Sequence, residues 1–180
     1  MASAVTLRKA DQADAANIGA LHVASWRETY SGLLPPDILA GLSVEARTAM
    51  WTEILGNPED FGCTAIFVAE AGERTVGFGA CGENRRDKSL SDAGFSGEIG
   101  AIYILRSHQG RGVGRSMIAL MSRALSKVGH TAAYLWVLRQ NVSARSFYEK
   151  LGGVIVGEKI DEQPDVTFVE DAYGWRDLSS

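Results

Sequence analysis

The 180-residue chain contains little of several features that mark specialised protein classes. Two cysteines are too few for a disulfide scaffold, and they lack the spacing and the histidine neighbours of a zinc site. No apolar run approaches the roughly 18 residues of a membrane helix, and residues 1–16 lack the basic start and apolar core of a secretion signal. A net charge of −4 argues against a nucleic-acid-binding face. We therefore expect a cytoplasmic protein without membrane or nucleic-acid partners, and nothing in the chain implies a metal.

The two cysteines lie in β-rich runs that flank a short glycine-containing turn. If residues 63–70 and 74–81 form a hairpin closed by residues 71–73, the pairing register places Cys63 opposite Cys81. Because cytosolic thiols are mostly kept reduced, we expect two reduced packing residues. Whether the two sulfurs pair is left open.

The overall composition, with 46% hydrophobic and 22% charged residues, is that of an ordinary globular protein. The length favours one domain over residues 1–180. Apolar periodicity predicts the order β-α-α-β-β-β-α-β-α-β-β, which favours a mixed sheet with helices on both faces. Residues 83–96 are predicted to form a mobile polar loop. Strands are predicted over 5–9, 63–70, 74–81, 98–105, 132–137, 154–159 and 166–175. Helices are predicted from a cap at Asp11 or Asp14 through Trp26, and over 37–42, 44–55, 112–128 and 142–151.

Residues 107–116, SHQGRGVGRS, connect a predicted strand to a predicted helix. Glycines allow a ligand to approach the backbone, and the start of a helix offers unpaired N–H groups to phosphate. A P-loop is excluded because Gln109 stands at the first glycine position and Arg115 replaces the lysine. The glycine spacing also departs from the dinucleotide-binding fingerprint. A phosphorylated ligand of another kind is predicted.

Residues 109–114, QGRGVG, resemble the acyl-coenzyme A loop of the GCN5-related N-acetyltransferase (GNAT) superfamily. A second stretch resembles the other hallmark of that family; its matching residues are Asn141, Ala144, Phe147, Tyr148 and Gly152. The resemblance implies an α/β (α+β) fold with a mixed, mostly antiparallel six- to seven-stranded GNAT sheet and helices on both faces. Two departures occur, Arg106 in place of a common proline and Gly153 in place of an aromatic residue.

The resemblance also implies a reaction, the transfer of an acetyl group from acetyl-CoA to the primary amine of a small molecule, directly within a ternary complex. Three alternatives stay open. The acceptor is a protein N-terminus or lysine, the donor carries a longer acyl group, or the chain is a non-catalytic acyl-CoA-binding regulatory module. Homodimers are common in the family, and this partner is also left open.

Family resemblance assigns catalytic roles to two residues. Tyr148 matches the frequent general acid, because a phenol is protonated at neutral pH and can protonate a leaving thiolate. Glu98 matches a frequent acceptor of the amine proton, on the strand face shared with Gly100, Ile102 and Ile104; the alternative is a solvated strand-end carboxylate. Tyr148 could also serve core packing alone.

The remaining expected roles concern ligand contacts. The oxyanion donor is expected where the fourth strand bulges, around Ile104 or Leu105, and Asn141 is expected to cap its helix. A weaker family likeness over residues 18–35 places Trp26 and Tyr30 in the acceptor wall, with core packing as the alternative. The expected coenzyme contacts are Tyr103, Ile104, Leu105, Gln109, Gly110, Arg111, Gly112, Val113, Gly114, Arg115, Ser116, Asn141, Ala144, Phe147 and Tyr148.

Overall fold

The strands predicted from the apolar runs assemble into a single sheet in the computed structural model, which describes residues 4–179. Residues 1–3 and 180, which the expected domain includes, lie outside the described residues. The strands are β1 (Val5–Lys9), β2 (Cys63–Ala71), β3 (Arg74–Glu83), β4 (Gly97–Ile104), β5 (Ala133–Leu138), β6 (Val154–Gln163) and β7 (Val166–Trp175).

Six α-helices accompany these strands in the described part of the chain, and none of them is long and apolar enough to span a bilayer. The predicted boundaries of the two helices that follow the glycine turn are confirmed to within one residue. The helices are α1 (Ala15–Tyr30), α2 (Pro36–Ala40), α3 (Val44–Gly56), α4 (Lys88–Asp92), α5 (Val113–Lys127) and α6 (Val142–Lys150).

The strand order is β1-β2-β3-β4-β5-β7-β6, and every neighbouring pair is antiparallel except β4 and β5. The two parallel strands pair only at Gly97 with Ala133 and at Glu98 with Tyr134. Beyond these residues β4 and β5 separate, so the rest of β4 has no strand partner on that side. This divergence opens the sheet at its centre.

Helices cover both faces of the sheet, as expected. Phe78 contacts the Trp51 ring of α3, whereas a Cβ on the adjacent Gly79 would lie 2.9 Å from Met117 of α5. Because successive strand residues point to opposite faces, α3 and α5 lie on opposite sides. The α1 helix packs with α3 and α6 packs with α5, so the sheet lies between two helical layers.

The segment over residues 83–96 differs from the predicted mobile loop. It contains the short helix α4, and both Leu90 and Phe95 are buried against Tyr134. The Asn84 amide donates to the carbonyls of Asp87 and Phe95 at 2.8 and 3.0 Å and closes the segment. Two apolar side chains in a polar stretch are enough to attach it to the core.

The hairpin of β2 and β3 also differs in register from the prediction. Irregularities in the β2–β3 ladder pair Cys63 with Gly82, and Ala65 with Cys81. The two cysteines are therefore not direct cross-strand partners, and both thiols are free. Burial raises the pKa of the Cys63 thiol to about 11 and that of Cys81 to about 12.

The α1 helix begins after a short 3-10 turn that the sequence did not predict. Asp11 caps this turn by accepting a hydrogen bond from the Ala13 N–H at 2.8 Å. The Asp14 side chain does not cap α1; it accepts a hydrogen bond from Asp11 N at 2.8 Å, which completes the capping box of the 3-10 turn, and two from Arg8, each 2.8 Å long. The Arg8 hydrogen bonds hold the pKa of the Asp14 carboxyl below its usual value.

Candidate active site

A cavity of about 720 Å³ lies where β4 and β5 diverge. Its lining comes from both sides of the sheet, because Tyr30 of α1 and Phe147 of α6 both contribute to it. The cavity therefore passes through the sheet. Among the predicted coenzyme contacts, it brings together Tyr103, Ile104, Gln109, Gly110, Gly112, Gly114, Arg115, Asn141, Ala144, Phe147 and Tyr148.

The unpaired edge of β4 supplies backbone groups to this cavity. The Leu105 N–H donates to Val76 O at 2.9 Å, so it belongs to the β3–β4 ladder. Because N–H directions alternate along an antiparallel strand, the Ile104 N–H points toward the open side. The expectation of a Leu105 donor is wrong, since its N–H is already bonded and its side chain is buried in the core.

The bulge in β4 lies at a different position from the one expected. The register shifts opposite Ala80 and Cys81, which leaves Gly100 as the extra residue. Glu98 pairs with Gly82 and Ala101 pairs with Ala80, so Glu98 shares a face with Ala101 rather than with Ile102 and Ile104. The bulge thus turns Glu98 toward the α1–α3 side of the sheet.

The glycine turn and the start of α5 border the cavity. Gly110 and Gly112 have φ angles of 71° and 83°, and nothing lies within 4 Å of a Cβ built on either residue. The first hydrogen bond into α5 runs from Ser116 N to Gly112 O at 3.0 Å. The N–H groups over residues 113–115 therefore have no intrahelical partner and can bind an anion.

The third glycine of the turn has a packing role that the sequence did not show. A Cβ on Gly114 would lie 2.9 Å from the Phe147 ring. Gly114 therefore allows α5 and α6 to approach each other closely. This contact joins the two motifs that lie 27 residues apart at Gly114 and Asn141.

The remaining side chains of the turn differ in whether they reach the cavity. Arg111 and Arg115 are exposed, and neither forms an ion pair with any carboxylate among residues 4–179. Arg115 lines the cavity, whereas Arg111 and Ser116 lie outside its lining. Val113 is buried in the core, so only its backbone N–H faces a ligand.

Helix α6 presents the second motif to the cavity. The Asn141 Oδ1 accepts from Ala144 N at 3.2 Å, which confirms the predicted cap and leaves the side-chain amide group free. Tyr148 is 8% exposed, and its hydroxyl has no hydrogen-bond partner among the described residues. Burial raises the Tyr148 pKa, so the phenol stays protonated across the physiological range.

A charged network missed by the sequence analysis anchors α6 to the sheet. The buried Asp171 carboxylate pairs with Arg139 at 2.5 Å and with Arg145 of α6 at 3.7 Å. The hydrogen bond from Arg139 lowers the pKa of Asp171. Tyr173 donates to Glu149 at 2.7 Å and accepts from Arg145 at 3.2 Å. In the sequence, the only sign of this network is that Asp171 and Tyr173 alternate along β7. Their partners Arg139, Arg145 and Glu149 lie far from them in the chain.

On the α1 side, two predicted acceptor residues have different positions. Tyr30 lines the cavity, but Trp26 does not. Instead, the Trp26 indole N–H donates to the Tyr103 hydroxyl at 2.9 Å, and its ring contacts Tyr30 edge-on at 4.8 Å between centroids. Trp26 thus holds the Tyr103 side chain that faces the cavity.

The aromatic cluster continues into the core through His22. The Trp51 indole N–H donates to His22 Nδ1 at 3.1 Å, and the Tyr103 ring lies 5.1 Å from the imidazole. Burial lowers the His22 pKa to about 4, and the positive charge of Arg47 acts in the same direction. His22 is therefore neutral at pH 7 and serves as a hydrogen-bond acceptor.

Glu98 lines a second, smaller cavity of about 200 Å³ on the α3 side of the sheet. Gly100 and Ala101 line both cavities, whereas Glu98 lines only the smaller one. Burial raises the pKa of the Glu98 carboxyl, and the positive charge of Arg86 opposes this shift. A carboxyl with a raised pKa is a stronger proton acceptor than an ordinary glutamate.

Comparison with known proteins agrees with this geometry. The model of the acetyltransferase (GNAT) family matches residues 22–153, which is well over half of the chain and includes both motifs. The chain belongs to the GNAT family. It is an acyltransferase, and the identification made from the glycine turn and the α6 motif is confirmed.

Three similar proteins illustrate the relationship. This GNAT chain is 32% identical over 177 residues to a Bacillus subtilis (strain 168) protein named uncharacterized N-acetyltransferase YuaI, covering 98% of this chain and 95% of the relative. The structure of the PaiA N-acetyltransferase from Thermoplasma acidophilum in complex with coenzyme A has a TM-score of 0.68 at 18% identity, covering 93% and 98% of the two chains. The structure of YncA from Salmonella typhimurium with acetyl-CoA has a TM-score of 0.70 at 18% identity, covering 99% and 96%.

Proposed function

We propose that this GNAT chain transfers an acetyl group from acetyl-CoA to a primary amine of a small molecule, directly and within a ternary complex. The observation that carries the proposal is the cavity through the sheet, which allows a donor and an acceptor to reach one point from opposite faces. The two structural neighbours that hold coenzyme A and acetyl-CoA support this donor.

The residues on the α5–α6 side fit the donor. Gly110 and Gly112 leave the backbone open, and the free N–H groups of residues 113–115 suit a pyrophosphate. Arg115 adds positive charge at the same place. The free edge of β4 next to Ile104 can pair with an extended amide-containing arm. When bound, acetyl-CoA supplies an acetyl group activated as a thioester.

Three groups of the chain then transfer protons or stabilise developing charge. Glu98 accepts, through a chain of water molecules, the proton that the ammonium must lose before its nitrogen can bond to the acetyl carbon. The Ile104 N–H stabilises the negative charge that develops on the acetyl oxygen. As the carbon–sulfur bond breaks, Tyr148 gives its phenolic proton to the sulfur, and the second proton that the nitrogen loses on becoming an amide restores the phenol through solvent. The products are an N-substituted acetamide and free coenzyme A.

Thermal unfolding with acetyl-CoA, coenzyme A, ATP and NAD tests the donor site first. We expect the two coenzyme A species alone to raise the melting temperature. Stabilisation by ATP or NAD alone would contradict the assignment of the glycine turn. Release of coenzyme A thiol in the presence of primary amines then tests turnover.

The variant Tyr148→Phe tests the acid. Its hydroxyl makes no hydrogen bond to the described residues, so the variant keeps the packing of the ring. We expect kcat to fall by a factor of about 10² or more, with coenzyme A affinity unchanged. Unchanged turnover would remove Tyr148 from the acid role.

The same assays separate the alternatives. Coenzyme binding without turnover on amines or peptides would indicate a regulatory module, and turnover on peptides alone would indicate a protein acetyltransferase. A single domain over 1–180, a cytoplasmic location and a homodimer stay predictions.

A further inference from the structure

Arg106, the residue that stands in place of a common proline, bonds to a carboxylate that the proposed reaction does not use. It follows the end of β4 by two residues. A proline at this position would have no backbone N–H to donate. Here the Arg106 N–H donates to Oε2 of Glu28, in the last turn of α1, at 2.8 Å. The missing proline therefore leaves an N–H that holds a carboxylate at the end of β4.

The contact between Glu28 and Arg106 is reciprocal. The Arg106 Nη2 donates to the main-chain oxygen of Glu28 at 2.6 Å. Arg106 is the first residue of a short 3-10 turn, and Leu105 before it is extended, with φ −55° and ψ 138°. The two hydrogen bonds join the end of α1 to the segment between β4 and the glycine turn. The Glu28 side chain therefore has a fixed position.

The Glu28 carboxylate lies on the open side of β4, where the strand has no partner. The Leu105 N–H points toward β3, because it is bonded to Val76 O. Since N–H directions alternate along an extended strand, the N–H groups of Ile104 and Arg106 both point to the open side. Two residues of extended chain separate these groups by about 6.6 Å. Ile104, Arg106 and Glu28 all line the large cavity.

The polar groups at this end of the strand edge are already bonded to side chains. The Ile104 carbonyl accepts from the side-chain amide of Gln109 at 2.9 Å, and the Arg106 N–H is bonded to Glu28. A bare strand edge would offer a donor at position 106, whereas here the second carboxylate oxygen of Glu28 offers an acceptor. That oxygen, Oε1, has no hydrogen-bond or ion-pair partner among residues 4–179. A ligand that pairs with the edge at this point must present a donor.

The arm of coenzyme A passes this point in the proposed function. With the pyrophosphate at the start of α5 and the thioester at Ile104, the arm runs along the cavity wall past Arg106. The arm carries amide N–H groups and a hydroxyl, and each of these is a hydrogen-bond donor. The arm therefore has the donors that the free oxygen of Glu28 requires.

We propose that Glu28 is a coenzyme-binding residue, whose Oε1 accepts a hydrogen bond from an amide N–H or the hydroxyl of the arm while Oε2 stays bonded to Arg106. This proposal rests on the donor site of the proposed function. A hydrogen bond to a carboxylate is stronger than one to a neutral main-chain oxygen, so it fixes the arm beside the Ile104 N–H. The negative charge also keeps the pyrophosphate at the glycine turn, because a phosphate beside Glu28 would be repelled.

The variant Glu28→Gln tests this contact. Its amide oxygen can still accept from the Arg106 N–H, whereas its NH2 group cannot accept from the arm. Calorimetry compares coenzyme A with 3′-phospho-ADP, the part of coenzyme A that lacks the arm. We expect the Kd for coenzyme A to rise about tenfold or more, as for loss of one hydrogen bond to a charged group, and the Kd for 3′-phospho-ADP to stay unchanged. Glu53→Gln makes the same charge change at an exposed residue outside both cavities and should change neither Kd.

Two variants at position 106 test the bond that fixes the carboxylate. Arg106→Ala keeps the backbone N–H, whereas Arg106→Pro removes it. Proline fits there because the position begins a 3-10 turn and Leu105 is already extended. We expect a higher Kd for coenzyme A in Arg106→Pro than in Arg106→Ala, since Glu28 loses its fixed position. Equal Kd values in the two variants would contradict the proposal.

The outcomes separate this proposal from the proposed function. Equal weakening of coenzyme A and 3′-phospho-ADP by Glu28→Gln, or weakening of neither, overturns the contact with the arm. Weakening of coenzyme A alone, in a protein that transfers acetyl to no amine, overturns the proposed reaction and supports the contact. Absence of coenzyme A binding to the original protein overturns both.

Discussion

Replacing Gly112 with alanine tests the glycine turn at its most informative position. Gly112 is the N-cap of α5 and has a φ of 83°, in the left-handed region where an L-residue is strained. No atom lies within 4 Å of its built Cβ, so the new methyl group meets no part of the protein. It projects instead into the space that a phosphate needs beside the helix start.

Gly129→Ala is the matched control, because Gly129 follows the opposite end of the same helix. Its φ is 97°, and a Cβ there also has nothing within 4 Å. Both variants carry a comparable backbone strain without a steric clash. Only Gly112 lies in the large cavity.

The expected magnitudes follow from the strain and from the lost ligand contact. A left-handed alanine costs about 1–2 kcal/mol, which lowers the melting temperature of a protein of this size by about 2–8 °C in both variants. Loss of one hydrogen bond to a charged phosphate costs about 1.5–3 kcal/mol, which weakens binding at least tenfold. At a hundredfold excess over the original Kd, the stabilisation by coenzyme A then falls from about 2.7 to about 1.4 kcal/mol in Gly112→Ala.

Two measurements test whether Gly112 lies at the phosphate site. They are thermal unfolding with and without coenzyme A, and the Kd for coenzyme A by calorimetry. We expect equal losses of intrinsic stability and a Kd change in Gly112→Ala alone. A Gly112→Ala protein that binds coenzyme A as tightly as the Gly129→Ala protein would refute the assignment of the α5 start as the phosphate site.

Two other predictions concern buried titratable groups. Since the His22 pKa is lowered from 6.5 to about 4, stability is fully present above pH 6.5 and is lost as the pH falls toward 4. His22 accounts for about 2 kcal/mol of that loss at pH 5. In His22→Gln the free energy of unfolding in urea should therefore differ less between pH 7.5 and pH 5.0 than in the original protein. An equal difference in the two proteins would contradict this role of His22. Burial raises the pKa of the Cys63 and Cys81 thiols to about 11 and about 12. Iodoacetamide at pH 8 should therefore label both cysteines only after unfolding. Rapid labelling of the folded protein would show that the thiols are accessible.

Much of the candidate site could be predicted from the sequence because its signals are local. The glycine turn over 109–114, the Asn141 cap and the α6 stripe depend on residues within one or two helical turns of each other. Their backbone conformations follow from glycine, capping and amphipathic spacing. The strand order along the chain followed from apolar periodicity in the same way.

The errors arose where distant segments meet. The bulge at Gly100, which turned Glu98 to the other face, and the registers that separated Cys63 from Cys81 depend on pairing between strands. No periodicity within one strand reports such a shift. Likewise, the sequence left Trp26 open between the acceptor wall and core packing, and its bond to Tyr103 joins residues 77 positions apart, which no local pattern reports.

Residues close together in the chain therefore indicated the family, the glycine turn as the candidate phosphate site and Tyr148 as the candidate acid. The divergence of β4 from β5, which creates the large cavity, required the whole sheet and both helical layers. The contact between Gly114 and Phe147 and the smaller cavity beside Glu98 required it too. Local conformation follows from neighbouring residues, whereas a cavity is bounded by side chains that only long-range packing brings together.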